Sequence, residues 1–175
     1  MNETEEHVIA GEGQVVVVHL GAEAYGIAIE NIHTVIVLQE ITRAPQTPPW
    51  VRGLMNLRGQ VLPVIDLRKR FELANAEDGP KTRVVIVNAD GVSAGLVVDE
   101  VSEVLTLTAD QLEAPTMLMQ CKARDCITAI GKAASLGSAD GSKGEKLVLV
   151  LDVAKVVGSA LQEEPKAQKG KRKAA

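Results

Sequence analysis

The sequence predicts an all-β protein in two halves, each a small closed barrel or sandwich. Three observations carry that expectation. Apolar residues make up 46% of the chain and aromatic residues only 2%, so the core is built from Val, Leu, Ile and Ala, a bias that favours strands. Short apolar runs recur between turn signals at close spacing. A polar segment, Asn75–Lys81, carries Asp78-Gly79-Pro80 and reads as a linker between the halves. With 175 residues, the chain has room for one domain or two very small ones.

In the first half, Gln14–Leu20 is a strand and Ala24–Ile29 a second, after a turn at Gly21. Asn31–Gln39 is a third, β-branched at Ile32, Val35, Ile36 and Val37. Pro45, Pro48 and Pro49 belong to an extended crossing segment, because proline fits neither a helix interior nor a central strand. Gly53–Leu57 and Gln60–Ile65 then form a hairpin across Arg58-Gly59. Gln60–Ile65 is apolar at most positions, as in a strand covered on both faces, although Pro63 requires an edge or a bulge. Asp66 caps a short helix, Leu67–Leu73.

In the second half, Thr82–Val87 and Val92–Val98 make a hairpin over Asn88-Ala89-Asp90-Gly91, and Val101–Leu107 is the third strand. Leu112–Asp125 is irregular and carries Pro115 and the apolar Met117, Leu118 and Met119. Cys126–Gly131 and Lys146–Leu151 complete the set, separated by a flexible insertion, Lys132–Glu145. Asp152 caps a final helix, Val153–Leu161, with one apolar face. Read half against half, no close residue-level repeat is evident. The expected organisation is an acidic disordered tail at 1–13, a first barrel at 14–80, a second at 81–152, the helix 153–161 returning to the first barrel, and a basic disordered tail at 162–175.

Composition narrows the function classes. No apolar run reaches the roughly 18 residues of a membrane span, and the N-terminus lacks the basic-then-apolar pattern of a signal peptide, so a cytoplasmic protein without membrane insertion is expected. A net charge of −4 argues against nucleic-acid binding by the folded core. Cys121 and Cys126 read as free thiols and make a poor zinc site. His7, His19 and His33 stand apart from any ligand or catalytic spacing, and phosphate-loop and nucleophile-elbow motifs are absent. No catalytic residue, metal or cofactor is expected. Binding through surfaces remains. Arg58, held at a hairpin tip, suits a carboxylate or a carbonyl-rich surface, and simple solvation also accounts for it.

The run GLMNLRGQVLPVIDLRKRF resembles the signature segment of the CheW family, the coupling proteins of bacterial chemotaxis. LGAEAYGIAIENIHTV upstream and GLVVDEVSEVLTLTADQL downstream resemble two further segments of that family, in the same order. The likeness implies two SH3-like five-stranded barrels side by side, with a groove between them. It implies a non-catalytic adaptor joining the cytoplasmic tip of methyl-accepting chemoreceptors to the regulatory domain of the histidine kinase CheA, at receptor arrays on the inner membrane. The alternative is the same role in another chemosensory pathway, such as twitching, gliding or development. Carried over by position, the receptor-binding residues are Val16, Ile29, Ile32, Val35, Arg58 and Val101, and the kinase-binding residues are Leu38, Glu40, Gly53, Met117 and Leu118. Two departures stand out: Thr34 occupies a position where the family often has Glu, and the insertion Lys132–Glu145 is longer than usual.

Overall fold

The computed structural model describes residues 13–115, 124–134 and 144–162. Its strands are β1 (Gly13–Leu20), β2 (Glu23–Ala28), β3 (Ile32–Val37), β4 (Val51–Leu57), β5 (Gln60–Asp66), β6 (Arg83–Ala89), β7 (Val92–Val98), β8 (Glu100–Leu107), β9 (Leu112–Glu113), β10 (Ile127–Ala134) and β11 (Glu145–Leu151), with helices α1 (Leu67–Arg70) and α2 (Val153–Gln162). The protein is therefore mostly β. Sheet 1 has the order β8-β1-β2-β11-β10-β9 and sheet 2 the order β3-β6-β7-β5-β4. Their pairing agrees with two SH3-like barrels, although neither is closed by a full strand ladder. In sheet 2, a lone bridge between Thr42 and Leu54 ties the segment after β3 to β4.

The boundary expected at residue 80 does not divide the sheets. Sheet 2 is one continuous piece of chain, whereas sheet 1 is assembled from β1 and β2 at one end and β8 to β11 at the other. The reason is burial. Strands β6 and β7 are apolar on both faces, so they occupy the centre of a sheet, with β3 on one side and β5 on the other. The β1–β2 hairpin is then completed by β8 and by β11, the latter in parallel.

The two sheets share one pairing scheme. Each has a central antiparallel hairpin, an antiparallel strand beside its first member, a parallel strand beside its second, and an antiparallel strand beyond that. A short helix follows the parallel strand in each, capped alike: Asp66 accepts from the Lys69 N–H and Asp152 from the Lys155 N–H. Val15–Val35 aligns without gaps to Val84–Val104, with Gly26 against Gly95 in the parallel ladders. A repeat therefore exists. It is circularly permuted, which is why comparing halves in linear order does not reveal it.

Three apolar layers follow from strand alternation. Val84, Ile86, Leu62 and Met55 fill the interior of sheet 2. Val15, Leu107, Ala129 and Val150 fill that of sheet 1. Between the sheets lies a shared core that takes the opposite faces: Val16, Val18, Tyr25 and Ile27 from sheet 1, and Val85, Val87, Ala94 and Leu96 from sheet 2. Helix α2 inserts Val153, Val156 and Val157 into this seam, and the Tyr25 and Phe71 rings stack across it at 5.4 Å.

Several local expectations change. Helix α1 stops at Arg70, with Phe71 as its cap and Glu72 at φ 56°. Strand β10 runs on to Ala134 and β11 starts at Glu145, so strand takes up part of the expected insertion. Pro63 is accommodated because the ladder to β7 begins only at Val64.

Candidate functional site

The chain crosses between the sheets at two points, the 3-10 turn Ile29–Asn31 and the single residue Asp99. Beside the crossings run the edge strands β3 and β8, and both carry a β-bulge. In β3 the register against β6 shifts between Ile32 and Thr34; in β8 the register against β1 shifts across Val17/Val18, leaving Ser102 as the extra residue. Simple alternation would turn residues three apart to opposite faces. The bulges bring Ile32 and Val35, paired with Val87 and Val85, onto the seam side, and do the same for Val101 and Val104, paired with Val18 and Val16.

The outcome is an apolar strip on each edge strand. Ile32 and Val101 are half-buried against the shared core, while Val35 is 38% exposed and Val104 52%. Ile29 and Val37 extend the β3 strip. In the gapless repeat, Ile32 and Val35 correspond to Val101 and Val104. Of the expected receptor residues, Ile29, Ile32, Val35 and Val101 thus lie on the strips, while Val104 and Val37, which also lie there, were not among those expected. The signal for Val104 was the permuted repeat.

Val16, expected to line the groove, is only 7% exposed and belongs to the shared core beneath the strips. Arg58 and Gly59 form the two-residue β4–β5 turn, with φ 50° and 83°, and Asn56 Oδ1 accepts from the Gly59 N–H at 3.0 Å. The Arg58 side chain is exposed and lines a cleft of about 320 Å³ at the end of sheet 2, with His33, Thr34, Gln60, Asn88 and Ser93 at its rim and Ile36, Leu62 and Ile86 below. Thr34 thus sits in the same cleft as Arg58.

The kinase-facing expectations fall elsewhere. Leu38 packs half-buried against the sheet 2 interior, and Glu40 is exposed. Gly53 is buried at the β4 bulge, and the fit leaves no room for a side chain. Met117 and Leu118 lie outside the described residues. Leu38 also borders a cleft of about 940 Å³ between β3's continuation and the 72–81 connection. There Arg52 donates to Asp66 at 2.9 Å and to both oxygens of Asp78 at 2.8 Å. The Asp78 bonds, then Asp66, raise the Arg52 pKa further above its ordinary range, and Arg52 in turn lowers that of Asp78.

The CheW-like domain model matches residues 14–161. The chain belongs to that family. It is 32% identical over 140 residues to a chemotaxis protein CheW of Klebsiella aerogenes, covering 80% of this chain and 78% of the relative. A chemotaxis protein CheW of Treponema pallidum is 30% identical over 150 residues, covering 83% and 82%. The crystal structure of the scaffolding protein TtCheW from Thermoanaerobacter tengcongensis matches with a TM-score of 0.70 at 30% identity, covering 83% of this chain and 92% of that one. This CheW-like chain thus has the fold of a scaffold whose relatives work in chemotaxis. No helix among its described residues is long and apolar enough to cross a membrane.

Proposed function

We propose that the chain is a non-catalytic coupling adaptor in a chemotaxis-type pathway, and that its two faces take different partners. The seam between the sheets receives a helix from the cytoplasmic tip of a chemoreceptor. The observation that carries this reading is the pair of equivalent apolar strips, Ile32/Val35 and Val101/Val104, exposed on the edges of the two sheets above a shared apolar core. A helix presenting apolar residues at i, i+3, i+4 and i+7 suits such a surface. Arg58, exposed at the end of sheet 2 in the cleft with His33 and Thr34 of β3, on the other side of that strand from the strip, supplies a planar donor fork for a carboxylate on the same partner. The edge around Leu38 and Glu40 faces the regulatory domain of the kinase CheA, and the Met117–Leu118 segment makes a second kinase contact.

Titration calorimetry with a receptor-tip fragment and, separately, with the kinase regulatory domain tests the assignment. Val35→Asp and Val104→Asp should each remove receptor binding and leave kinase binding intact. Receptor affinity unchanged in both variants defeats the seam as the receptor site.

A further inference from the structure

The two ends of the seam differ. Asp99, the residue that carries the chain from sheet 2 into sheet 1, is held from both sides. Its carboxylate accepts from the Gly21 N–H in the β1–β2 turn at 2.7 Å and from Arg68 of α1, with Nε at 2.8 Å and Nη2 closing a second bond. Arg68 Nη1 also donates to the Ala74 carbonyl at 2.6 Å. The Asp99 N–H donates to the His19 carbonyl at 3.0 Å, and Lys81 pairs with the neighbouring Glu100 at 3.6 Å. One carboxylate therefore ties a turn of sheet 1 to a helix of sheet 2.

The repeat places Glu30 where Asp99 stands, Asp90 where Gly21 stands and Ala154 where Arg68 stands. These three residues do come together, around a cleft of about 220 Å³ at the other crossing. Alanine cannot reach the carboxylate, so position 154 supplies no counterpart to the Arg68 fork. Among the described residues, the shared core that joins the sheets elsewhere is built mainly of Val, Ile, Leu and Ala, with Cys126 and one aromatic stack. Burial of that kind is strong but non-directional, and fixes how much surface meets better than it fixes register.

We infer that Arg68 and Asp99 are positioning residues for the seam: they lock the sheets together at one end, setting the spacing of the β3 and β8 strips, while the Glu30–Ala154 end is left free to give. Asp99 lies two residues before Val101, so the start of the β8 strip is set directly by the clamp. The role in binding rests on the seam being the receptor site; the effect on sheet spacing does not.

The test uses the full chain with Cys121→Ser, the buried Cys126 left in place, and spin labels at Val61→Cys and Leu147→Cys, exposed strand positions of sheet 2 and sheet 1. Pulsed dipolar spectroscopy then reads the spacing between the sheets. Arg68→Gln and Asp99→Asn should each broaden the distance distribution, with circular dichroism retained and a single cooperative melt, and Arg68→Lys should broaden it less. Ala154→Arg, which gives Glu30 a partner, should narrow it. Unlabelled Arg68→Gln and Asp99→Asn should bind a receptor-tip fragment about fivefold more weakly or worse. An unchanged distribution in Arg68→Gln, Asp99→Asn and Arg68→Lys overturns the clamp. A broadened distribution with unchanged receptor affinity overturns the positioning role. Failure of the parent chain to bind the fragment counts against the proposed function, and the distance measurement still decides the clamp.

Discussion

Gly53 presses its backbone against the carbonyl of Thr42. A β-carbon on Gly53 would stand 2.1 Å from the Thr42 oxygen and 3.0 Å from the Arg43 Cα, and the residue has φ 148°. The contact lets Leu54 and Thr42 exchange both backbone hydrogen bonds, at 2.7 and 2.8 Å, and so ties the segment after β3 to β4. Gly53→Ala should therefore cost about 2 kcal/mol or more, from backbone strain and the clash together. Urea unfolding checks this. Wild-type stability would show that Thr42 moves aside without cost, and would return Gly53 to a direct role at the kinase face.

Arg58 occupies the first position of a tight turn that favours Asn, Asp or Gly, at φ 50°. The two-residue turn between β6 and β7 has nearly the same backbone angles and uses Asp90-Gly91, which suits the geometry. Arg58→Asn should thus stabilise the fold by about 0.5–1 kcal/mol, while Arg58→Ala changes stability by less than about 0.5 kcal/mol. Both variants should lose kinase activation in a reconstituted array of receptor, kinase and adaptor. Arg58→Lys should recover little, because an ammonium lacks the planar fork. Full activation by Arg58→Asn would reject a coupling role.

Depth separates the strip from the layer beneath it. Val35→Asp and Val104→Asp place a charge at half-exposed positions and should cost less than about 1 kcal/mol. Val16→Asp buries the charge in the shared core and should cost about 4 kcal/mol or more. Thermal melts of the three variants check the ranking. A Val16→Asp protein as stable as Val35→Asp would mean that the seam is open down to β1.

The paired aspartates give an acid limb. Arg68 holds the Asp99 carboxyl below its ordinary 3.8, and Arg52 does the same for Asp78. A carboxylate with a depressed folded-state pKa contributes its full stabilisation above the unfolded value. That stabilisation is lost as pH falls below 3.8 and through the lower folded-state value. Urea midpoints measured from pH 5 to pH 2 should therefore fall less steeply for an Asp78→Asn, Asp99→Asn double variant than for the wild type. Coincident acid limbs would assign the loss to other carboxylates.

The all-β class, most strand positions and both capped helices were legible because they rest on local signals: valine runs, Asp-Gly and Arg-Gly turns, and aspartates ahead of apolar segments. The partition of the sheets was not, because it depends on which strands tolerate burial on both faces, and Asn75–Lys81 has every local mark of a boundary. Ile29, Ile32, Val35 and Val101 entered the expected site through the family likeness. Val104 escaped because its face is decided by the bulge at Ser102, which leaves no local trace in composition. Arg68 and Asp99 are far apart in sequence, one at the start of a short helix and the other between two strands, so no local signal joins them.

Nesting one barrel inside the other also orders events at the ribosome. Sheet 2 is contiguous, so all five of its strands emerge together and can pair as soon as β7 is clear of the exit tunnel. The β1–β2 hairpin emerges first of all and waits longest. Its Val15 and Val17 have no interior to enter until β8, β10 and β11 arrive. The N-terminal hairpin is thus the stretch of nascent chain that most needs shielding, and a stall in translation after β7 would leave sheet 2 complete and trailing a valine-rich hairpin with no sheet to join.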